Sequence, residues 1–243
     1  MENENKKKLL GKYFIKGEIL VKTGLHVGGS KTALDIGGID TNVIKTANGV
    51  PYIPGSSLKG KLRSMLAREE GSEDVKADSK GIREIFGFPP KQKDAGGKEI
   101  DAEQTRLIVR DAFLKNWEEM LNKKGEFKDL ELAYTEGKWE NSIDRKSGTA
   151  GSPRQIERVP PGAIFELELI YDVYDDKDGS EKLKKDSHIK LIKQAMRLLQ
   201  DDYLGGSGSR GYGQIEFQNI QTGEKTIENY KENSELQLEA MEL

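Results

Sequence analysis

The residues best suited to bind a ligand lie in one glycine-rich run, LGGSGSRGYGQIEF, at positions 204–217. Five glycines and two serines in this run surround Arg210. Glycine adopts backbone angles closed to other residues and lets a ligand approach the main chain. Successive N–H groups in such a loop form an anion-binding concavity, and a guanidinium matches the geometry of phosphate. The run therefore predicts a loop that holds a phosphodiester backbone.

A second candidate anion site is PGSSLKGKLR, residues 54–63. Ser56 or Ser57 is predicted to cap a helix that starts here, and a helix N-terminus attracts anions. Lys59 and Arg63 are four residues apart and therefore share one helical face. These residues fit a phosphate clamp, and they fit equally well an ordinary capped helix with a solvated basic face.

Carboxylates with catalytic potential follow two glycine-flexed turns, TGLHVGGS and LDIGGID. These turns bring His26, Asp35 and Asp40 within one segment of the chain. Asp40 follows Gly-Gly-Ile, so we expect it on a loop that a substrate can reach. A carboxylate there can bind a divalent metal or take a proton from an attacking hydroxyl. By itself the pattern favours an Asx turn that satisfies backbone donors, and His26 is more typical of a structural hydrogen bonder than of a general base.

The third candidate is the polar segment at residues 139–159, which carries Arg145, Lys146, Arg154 and Arg158. A projecting loop of this composition can contact an extended ligand through its cations. A solvent-exposed hairpin explains the same composition equally well.

Composition limits the class of protein. The chain has 243 residues, of which 35% are hydrophobic and 33% charged. It has no cysteine, which excludes a disulfide framework and a thiolate zinc site. No apolar run reaches membrane-spanning length and no signal peptide is evident, so we expect a cytoplasmic protein with no membrane partner.

Charge is unevenly distributed along the chain. The net charge of −3 argues against a generally basic nucleic-acid-binding protein. However, residues 41–68 contain five cations and no acid, whereas residues 216–243 contain seven glutamates and two lysines. This asymmetry predicts one face for a polyanion and another for solvent or protein neighbours.

Periodicity predicts an α+β fold. Alternating apolar residues indicate strands near 13–21, 106–113, 164–173 and 213–220. Helical spacing indicates a helix after Pro54, which buries Leu58, Leu62, Met65 and Leu66, and another over residues 187–203. Two strand–helix units with intervening strands are compatible with a split βαβ, ferredoxin-like sheet.

Taken in order, the motifs resemble one family. They are GLHVGGS, IGGID, PYIPGSSLKGKLR, RDAF, ENSIDR, PRQIERV and YLGGSGSRGYG. Together they resemble the RAMP-superfamily backbone subunit of type III-A CRISPR (Csm) effector complexes. The resemblance extends from about residue 17 to residue 217, and the matching order of the motifs makes it specific.

The resemblance implies an RRM-like (ferredoxin-like) palm with inserted loops. Residues 1–243 then form a single RAMP domain, with an insertion at 71–105, a thumb-like hairpin at 137–161 and an acidic tail at 224–243. Such subunits stack head to tail along a CRISPR guide RNA, together with other subunits of the Csm complex. The thumb wedges into the guide–target duplex, and complementary target RNA is cleaved at regular intervals by a metal-dependent reaction.

The resemblance also assigns roles to residues. By motif position the catalytic and metal-binding aspartate is Asp40, with Mg²⁺ or another divalent ion bound transiently. Zinc is not expected, because the chain has no cysteine and only two histidines. The RNA-binding residues on the guide backbone are His26, Ser30, Lys59, Arg63, Ser207, Arg210 and Gly211, and those of the thumb are Arg145, Arg154 and Arg158.

Two other functions remain possible at this point. The chain could be a non-catalytic RNA-binding scaffold subunit of a type III CRISPR complex, in which Asp40 only shapes its loop. It could also be a stand-alone RAMP endonuclease that processes CRISPR transcripts. Enzymes of that second kind rely on histidine, and this chain offers only His26 and His188.

Overall fold

Alternating apolar residues form the strand at the centre of the fold. The protein is described by a computed structural model over residues 7–28, 41–90, 92–93, 97, 99–176 and 179–243. Within these residues the strands are β1 (Leu9–Val21), β2 (Tyr52–Ile53), β3 (Gln92–Lys93), β4 (Glu99–Ile100), β5 (Leu107–Val109), β6 (Ala112–Phe113), β7 (Glu136–Ile143), β8 (Ala150–Arg158), β9 (Ile164–Tyr174), β10 (Ile215–Thr226) and β11 (Glu239–Ala240). The α-helices are α1 (Gly55–Glu70), α2 (Lys80–Phe86), α3 (Trp117–Leu121), α4 (Glu181–Gln200) and α5 (Ile227–Lys231), and two 3₁₀ turns span Gly125–Phe127 and Gly208–Arg210.

The main sheet has the strand order β11-β10-β1-β9-β5, and every neighbouring pair is antiparallel. Along the chain, β1, α1, β5, β9, α4 and β10 form two split βαβ units. Their order in space, β10-β1-β9-β5, is that of a ferredoxin-like sheet. The predicted fold class is confirmed.

The helices α1 and α4 contact each other and pack on the sheet. All four predicted core residues of α1 are buried, as are Ile15, Ile19 and Val21 of β1. The core side of α4 is formed by Ile192, Ala195, Met196 and Leu199. Burial of these apolar side chains supplies most of the stabilisation of the palm.

The start of α1 differs from the prediction of a serine cap. The N-cap residue is Pro54, and it makes no side-chain hydrogen bond to the helix. Instead, the backbone N–H of Gly55 donates to Asp111 Oδ1 at 2.7 Å. A Cβ on Gly55 would lie 2.2 Å from the carbonyl oxygen of Val109, so only glycine allows this approach. The chain near Asp111 is thus drawn onto the helix start, and the predicted single strand at 106–113 divides into β5 and β6.

Two further boundaries differ. The helix α4 begins at Glu181, before the predicted start at 187, because its first turns are polar and carry little apolar periodicity. The strand β10 extends to Thr226, and β11 pairs with it through Gln221 and Thr222. The glutamate-rich C-terminal segment is therefore partly integrated into the sheet.

The polar segments contain local structure. The strands β7 and β8 form an antiparallel hairpin within the segment predicted as the thumb. Residues 71–105 include α2 and the two-stranded pair β3–β4. None of the helices in the described ranges is both long and apolar enough to span a bilayer.

Candidate RNA-binding site

The glycine loop, defined here as residues 204–213, is closed at its base by backbone hydrogen bonds. Leu204 N–H donates to the carbonyl of Gly213 at 2.8 Å, and Gly213 N–H donates to that of Gly24 at 3.0 Å. Gly213 has a φ of +74°, and a Cβ there would lie 2.1 Å from the Leu204 carbonyl oxygen. Both the backbone angle and the close contact therefore require glycine.

The loop is attached to the segment that carries His26. Gly206 N–H donates to the His26 carbonyl at 2.8 Å, and Gly205, with φ +78°, approaches the same oxygen. On its other side, His26 Nδ1 lies 2.7 Å from the carbonyl oxygen of Glu157 on β8. His26 thus joins the glycine loop to the hairpin through structural hydrogen bonds.

The tip of the loop is open. Ser207 and Gly211 adopt left-handed angles, with φ of +60° and +84°, on either side of the Gly208–Arg210 turn. A Cβ on Gly211 would have no neighbour within 4 Å. The N–H groups of Arg210 and Gly211 donate within this turn, to the carbonyls of Ser207 and Gly208 at 2.9 Å. The open space beside Gly211 lets a ligand approach the main chain there.

The β7–β8 hairpin packs its base against the loop through Tyr212. This tyrosine is 1% exposed. Lys138 Nζ lies 4.5 Å from the centre of its ring and the Arg158 guanidinium lies 5.2 Å from it. Burial, aided by the Glu140 carboxylate, raises the pKa of Tyr212 to about 12. The Tyr212 hydroxyl is therefore neutral, and its ring makes cation–π contacts with Lys138 and Arg158.

Charged residues face each other across the hairpin. Arg158 Nε donates to Glu136 Oε1 at 2.7 Å. Glu140 Oε2 accepts from Arg154 Nη2 at 3.2 Å and from Arg210 Nη1 at 2.9 Å. Glu140 therefore links the hairpin to the glycine loop.

Glu157 fixes the chain segment that follows Asp40. Its backbone N–H donates to the Thr41 carbonyl at 3.0 Å. Its buried carboxylate accepts from Val43 N–H at 2.8 Å and from Thr135 Oγ1 at 2.6 Å, and it pairs with Lys45. Burial acts to raise the pKa of Glu157, but the lysine and the hydrogen bonds outweigh it and lower the pKa. The carboxylate is therefore ionised and tightly held.

Three predicted residues, Ser30, Asp35 and Asp40, lie outside the described residues. Their neighbours in the chain are placed. Gly28 forms an antiparallel bridge with Val43, and Thr41 forms a parallel bridge with Ile156 of β8. Both ends of the segment that contains Asp40 are thus fixed beside the base of the hairpin.

Two of the cations of α1, the predicted RNA-binding residues Lys59 and Arg63, bind acceptors inside the protein. Lys59 Nζ donates to Thr105 Oγ1 at 2.7 Å and to the Leu107 carbonyl at 2.8 Å. Burial, followed by the charge of Arg63, lowers the pKa of Lys59. Arg63 pairs with the buried carboxylate of Asp78 at 2.6 Å and also donates to the Gly87 carbonyl. Neither residue joins the glycine loop and the hairpin in one cluster.

Another α1 cation, Lys61, lies on a different face of the helix from Lys59 and Arg63 and contacts residues that precede the loop. Its Nζ lies 3.8 Å from the centre of the Tyr203 ring and 3.0 Å from Asp202 Oδ2. Tyr203 immediately precedes the loop. Sequence reasoning missed Lys61 because helical spacing alone did not show which face of α1 meets the loop.

The far end of the hairpin carries Arg145, which is exposed in the turn after Asp144. Asp144 accepts from the backbone N–H groups of Lys146 and Ser147 and so fixes this turn. Trp139 and Ile143 are also exposed along β7. Arg145 is therefore separated from Arg154 and Arg158 along the hairpin.

Sequence reasoning missed four other residues of this cluster: Lys138, Glu140, Glu157 and Tyr212. A signal for two of them was present. In an antiparallel pair every second residue shares a face, and Glu136, Lys138 and Glu140 lie opposite Arg158, Ile156 and Arg154. Tyr212 and Glu157 gave no such signal, because their partners come from distant segments.

No group of three or more acidic or histidine side chains that could bind a metal occurs within the ranges that the structure describes. The carboxylates of the hairpin strands in this cluster, Glu136, Glu140 and Glu157, are each paired with a cation. The described residues therefore do not fit a preformed Mg²⁺ site.

The comparisons with known proteins agree with the fold and the loop. A model of the RAMP superfamily matches residues 18–216. This match includes the glycine loop, the hairpin, the helices α1 and α4, and the strands β5 and β9 of the main sheet. The chain belongs to the RAMP superfamily.

Within the superfamily, the chain is a member of the Csm3 family. It is 41% identical to the CRISPR system Cms endoribonuclease Csm3 of Methanocaldococcus jannaschii, over 97% of this chain and 90% of the relative. It is 42% identical to the protein of the same description from Streptococcus thermophilus, over 84% and 86%. A solved structure, the Csm3–Csm4 subcomplex in the type III-A CRISPR-Cas interference complex, matches with 31% identity and a TM-score of 0.56, over 96% of this chain and 90% of that one. The resemblance found in the sequence is confirmed.

Proposed function

We propose that this protein is the guide-binding backbone subunit of a type III-A CRISPR interference complex and that it cleaves complementary target RNA. The curated relatives are endoribonucleases, and the similar solved chain belongs to a type III-A interference complex. The observation that carries the proposal is that three parts of the chain lie together. The glycine loop, the base of the hairpin and both fixed ends of the Asp40 segment meet around His26 and Glu157.

The partners follow from this role. The guide backbone lies on the glycine loop, where N–H groups, Ser207 and Arg210 bind phosphates. Arg154, Arg158 and the exposed Arg145 extend the contact along the hairpin. Target RNA pairs with the guide, further copies of this chain stack head to tail along it, and other Csm subunits complete the complex.

Cleavage uses the target's own 2′-hydroxyl. Its oxygen attacks the adjacent phosphorus, the bond to the 5′-oxygen breaks, and a 2′,3′-cyclic phosphate and a 5′-hydroxyl result. The 2′-hydroxyl loses its proton to a base, and the leaving oxygen gains one. In-line geometry supplies much of the rate, and the protein provides it by holding the strand between loop and hairpin. Asp40 is the catalytic carboxylate beside the scissile bond.

A divalent ion such as Mg²⁺, if bound with Asp40, would neutralise charge on the phosphate. The described residues supply no preformed site for it, so the ion's binding rests on Asp40 and the RNA. The proposal gives His26 a structural role, because its Nδ1 contacts the Glu157 carbonyl and its own carbonyl accepts from Gly206 N–H.

The test uses the assembled complex with guide and complementary RNA in Mg²⁺. Asp40→Ala is expected to slow cleavage at least about a hundredfold while guide and target binding stay within about twofold. Asp35→Ala is the matched control, since Asp35 lies in the same segment, and it should retain cleavage. Product ends are identified by mass, and a 2′,3′-cyclic phosphate is expected.

Other results would point to other functions. Unchanged cleavage by Asp40→Ala would remove Asp40 from catalysis. Absence of cleavage by the unmodified complex would favour a scaffold role. Efficient metal-independent cutting of CRISPR transcripts by the isolated chain would favour a stand-alone processing enzyme.

A further inference from the structure

Two guanidinium groups from different parts of the chain meet at one carboxylate oxygen. Arg154 lies on β8 of the hairpin, and Arg210 lies at the tip of the glycine loop. Their nitrogens lie 3.2 Å and 2.9 Å from Glu140 Oε2. A single acceptor atom thus holds both groups within bonding distance of one point.

The three side chains differ in exposure. The Glu140 side chain is 13% exposed, whereas those of Arg154 and Arg210 are 48% and 54% exposed. A guanidinium has five N–H donors, so each residue has donors beyond the one bound to Glu140 Oε2, and about half of each side chain is exposed. An external ligand can reach both cations without entering the core.

The local charge favours an anion. Arg154, Arg158, Arg210 and Lys138 contribute four positive charges, and the two carboxylates beside them are Glu136 and Glu140. Burial acts to raise the pKa of Glu140, but the Tyr212 hydroxyl and the two guanidiniums outweigh it and lower the pKa. Glu140 therefore carries a full charge and occupies the position that an anionic oxygen would take.

We propose that Arg154 and Arg210 form a single phosphate subsite for the RNA backbone, in which Glu140 takes the place of a phosphate oxygen when RNA is absent. The inference rests on the proposed guide-binding function and adds a residue that opposes binding. A guide phosphate exchanges with the carboxylate for the same two guanidiniums, so RNA must compete with a group of the protein.

The exchange gives a distinct signature for Glu140. Removing its charge removes the competitor while keeping the side chain's size. Glu140→Gln is therefore expected to bind guide RNA about threefold to tenfold more tightly, which corresponds to one or two weak ion pairs lost from the free state. Glu224→Gln is the matched control. Glu224 is another carboxylate with one cationic partner, Lys185 at 2.7 Å, and its change should leave affinity within about twofold.

The shared phosphate gives a second signature. Each phosphate neutralised on a single strand contributes about −0.7 to the slope of log K against log salt. Arg154→Ala and Arg210→Ala should each weaken binding, and the double variant should lose about 0.7 from the slope in total. Two separate phosphate contacts would instead lose about 1.4.

The experiment measures anisotropy of a labelled guide RNA with the full chain and its variants between low and moderate salt. Thermal unfolding confirms that each variant folds. Equal affinities of Glu140→Gln and Glu224→Gln, together with additive slopes, would overturn the subsite. If the unmodified chain and complex fail to bind guide at all, the proposed function itself is wrong; if they bind and cleave while the variants behave additively, only the shared subsite is wrong.

Discussion

Two cations of α1, Lys59 and Arg63, have a sequence setting similar to that of the cations at the junction of loop and hairpin, but their surroundings in the structure differ. Lys59 and Arg63 lie in a glycine- and serine-bearing motif, as Arg210 does, yet their donors are bound to acceptors inside the palm. Arg154 and Arg210 share one carboxylate and are about half exposed. The difference lies in the partners, because Asp78 is buried whereas Glu140 lies at the surface edge of the cluster.

This contrast separates two uses of positive charge. A cation paired with a buried carboxylate stabilises the fold, and its removal leaves an uncompensated charge. A half-exposed cation adds little stability and keeps donors for a ligand. The two regions should therefore respond differently to substitution.

The largest expected effect on stability comes from a substitution at the base of the glycine loop. Gly213→Ala adds a Cβ at φ +74° and 2.1 Å from the Leu204 carbonyl oxygen, so the free energy of unfolding should fall by about 3 kcal/mol. Gly71→Ala, at φ +69° with no atom within 4 Å of the new Cβ, is the control and should cost about 1 kcal/mol. Urea denaturation measures the free energy of unfolding of both variants. Equal losses would mean that the positive φ alone, and not the contact with the Leu204 carbonyl oxygen, accounts for the cost at Gly213.

Arg63→Ala tests the α1 cations that are bound to acceptors inside the palm. It leaves the buried Asp78 carboxylate without its guanidinium, so we expect a loss of about 3 kcal/mol in the free energy of unfolding. Guide affinity of the folded fraction should change by less than about threefold. A large loss of affinity with unchanged stability would place Arg63 in the interface and reverse the comparison.

A third prediction concerns pH and the interior of the palm. His188 is buried, with Nδ1 2.8 Å from the Tyr171 hydroxyl and Nε2 3.2 Å from Glu84 Oε2. Burial, opposed by Glu84 and aided by Arg106 and Lys184, lowers its pKa to about 4. The unfolded chain therefore binds the proton more tightly, and stability should fall by about 1.5 kcal/mol between pH 6.5 and pH 5.

The control for that prediction is His188→Gln, which removes the titrating group. Its stability should vary less with pH over the same window, even if it is lower at every pH. Chemical denaturation at several pH values gives the comparison. Parallel curves for the two proteins would assign the pH dependence to other groups.

The smallest effect on stability is expected at the junction of loop and hairpin. Arg154→Ala should change the free energy of unfolding by less than about 1 kcal/mol, because exposed ion pairs contribute little. Its effect on guide binding should be clearly measurable in the same preparation. A stability loss equal to that of Arg63→Ala would show that the junction is a structural pair like the one in α1.

Much of the fold could be predicted from the sequence. The apolar stripe of α1 and the alternation in β1 fixed the core faces, because period and burial coincide there. The motif order identified the superfamily and with it the ferredoxin-like class of the sheet. The start of α4 could not be predicted, because its first turns are charged and Leu183 among them is exposed.

The candidate site could be predicted only in part. Glycine content revealed the loop, and the positive angles of Gly205, Gly211 and Gly213 bear that out. The partners of Lys59 and Arg63 could not be predicted from the sequence. Thr105, Leu107 and Asp78 come close to them only in the folded protein. The link made by Glu140 was hidden for the same reason, since Arg210 approaches it from outside the hairpin.

The short strand β11 limits how copies of this chain can associate. It occupies the outer edge of β10 at Gln221 and Thr222, and Met241 N–H continues the contact to the Ile220 carbonyl. An unpaired edge invites neighbouring molecules to add strands without limit. Because the chain covers this stretch with its own tail, a neighbouring molecule cannot add a strand to β10 there.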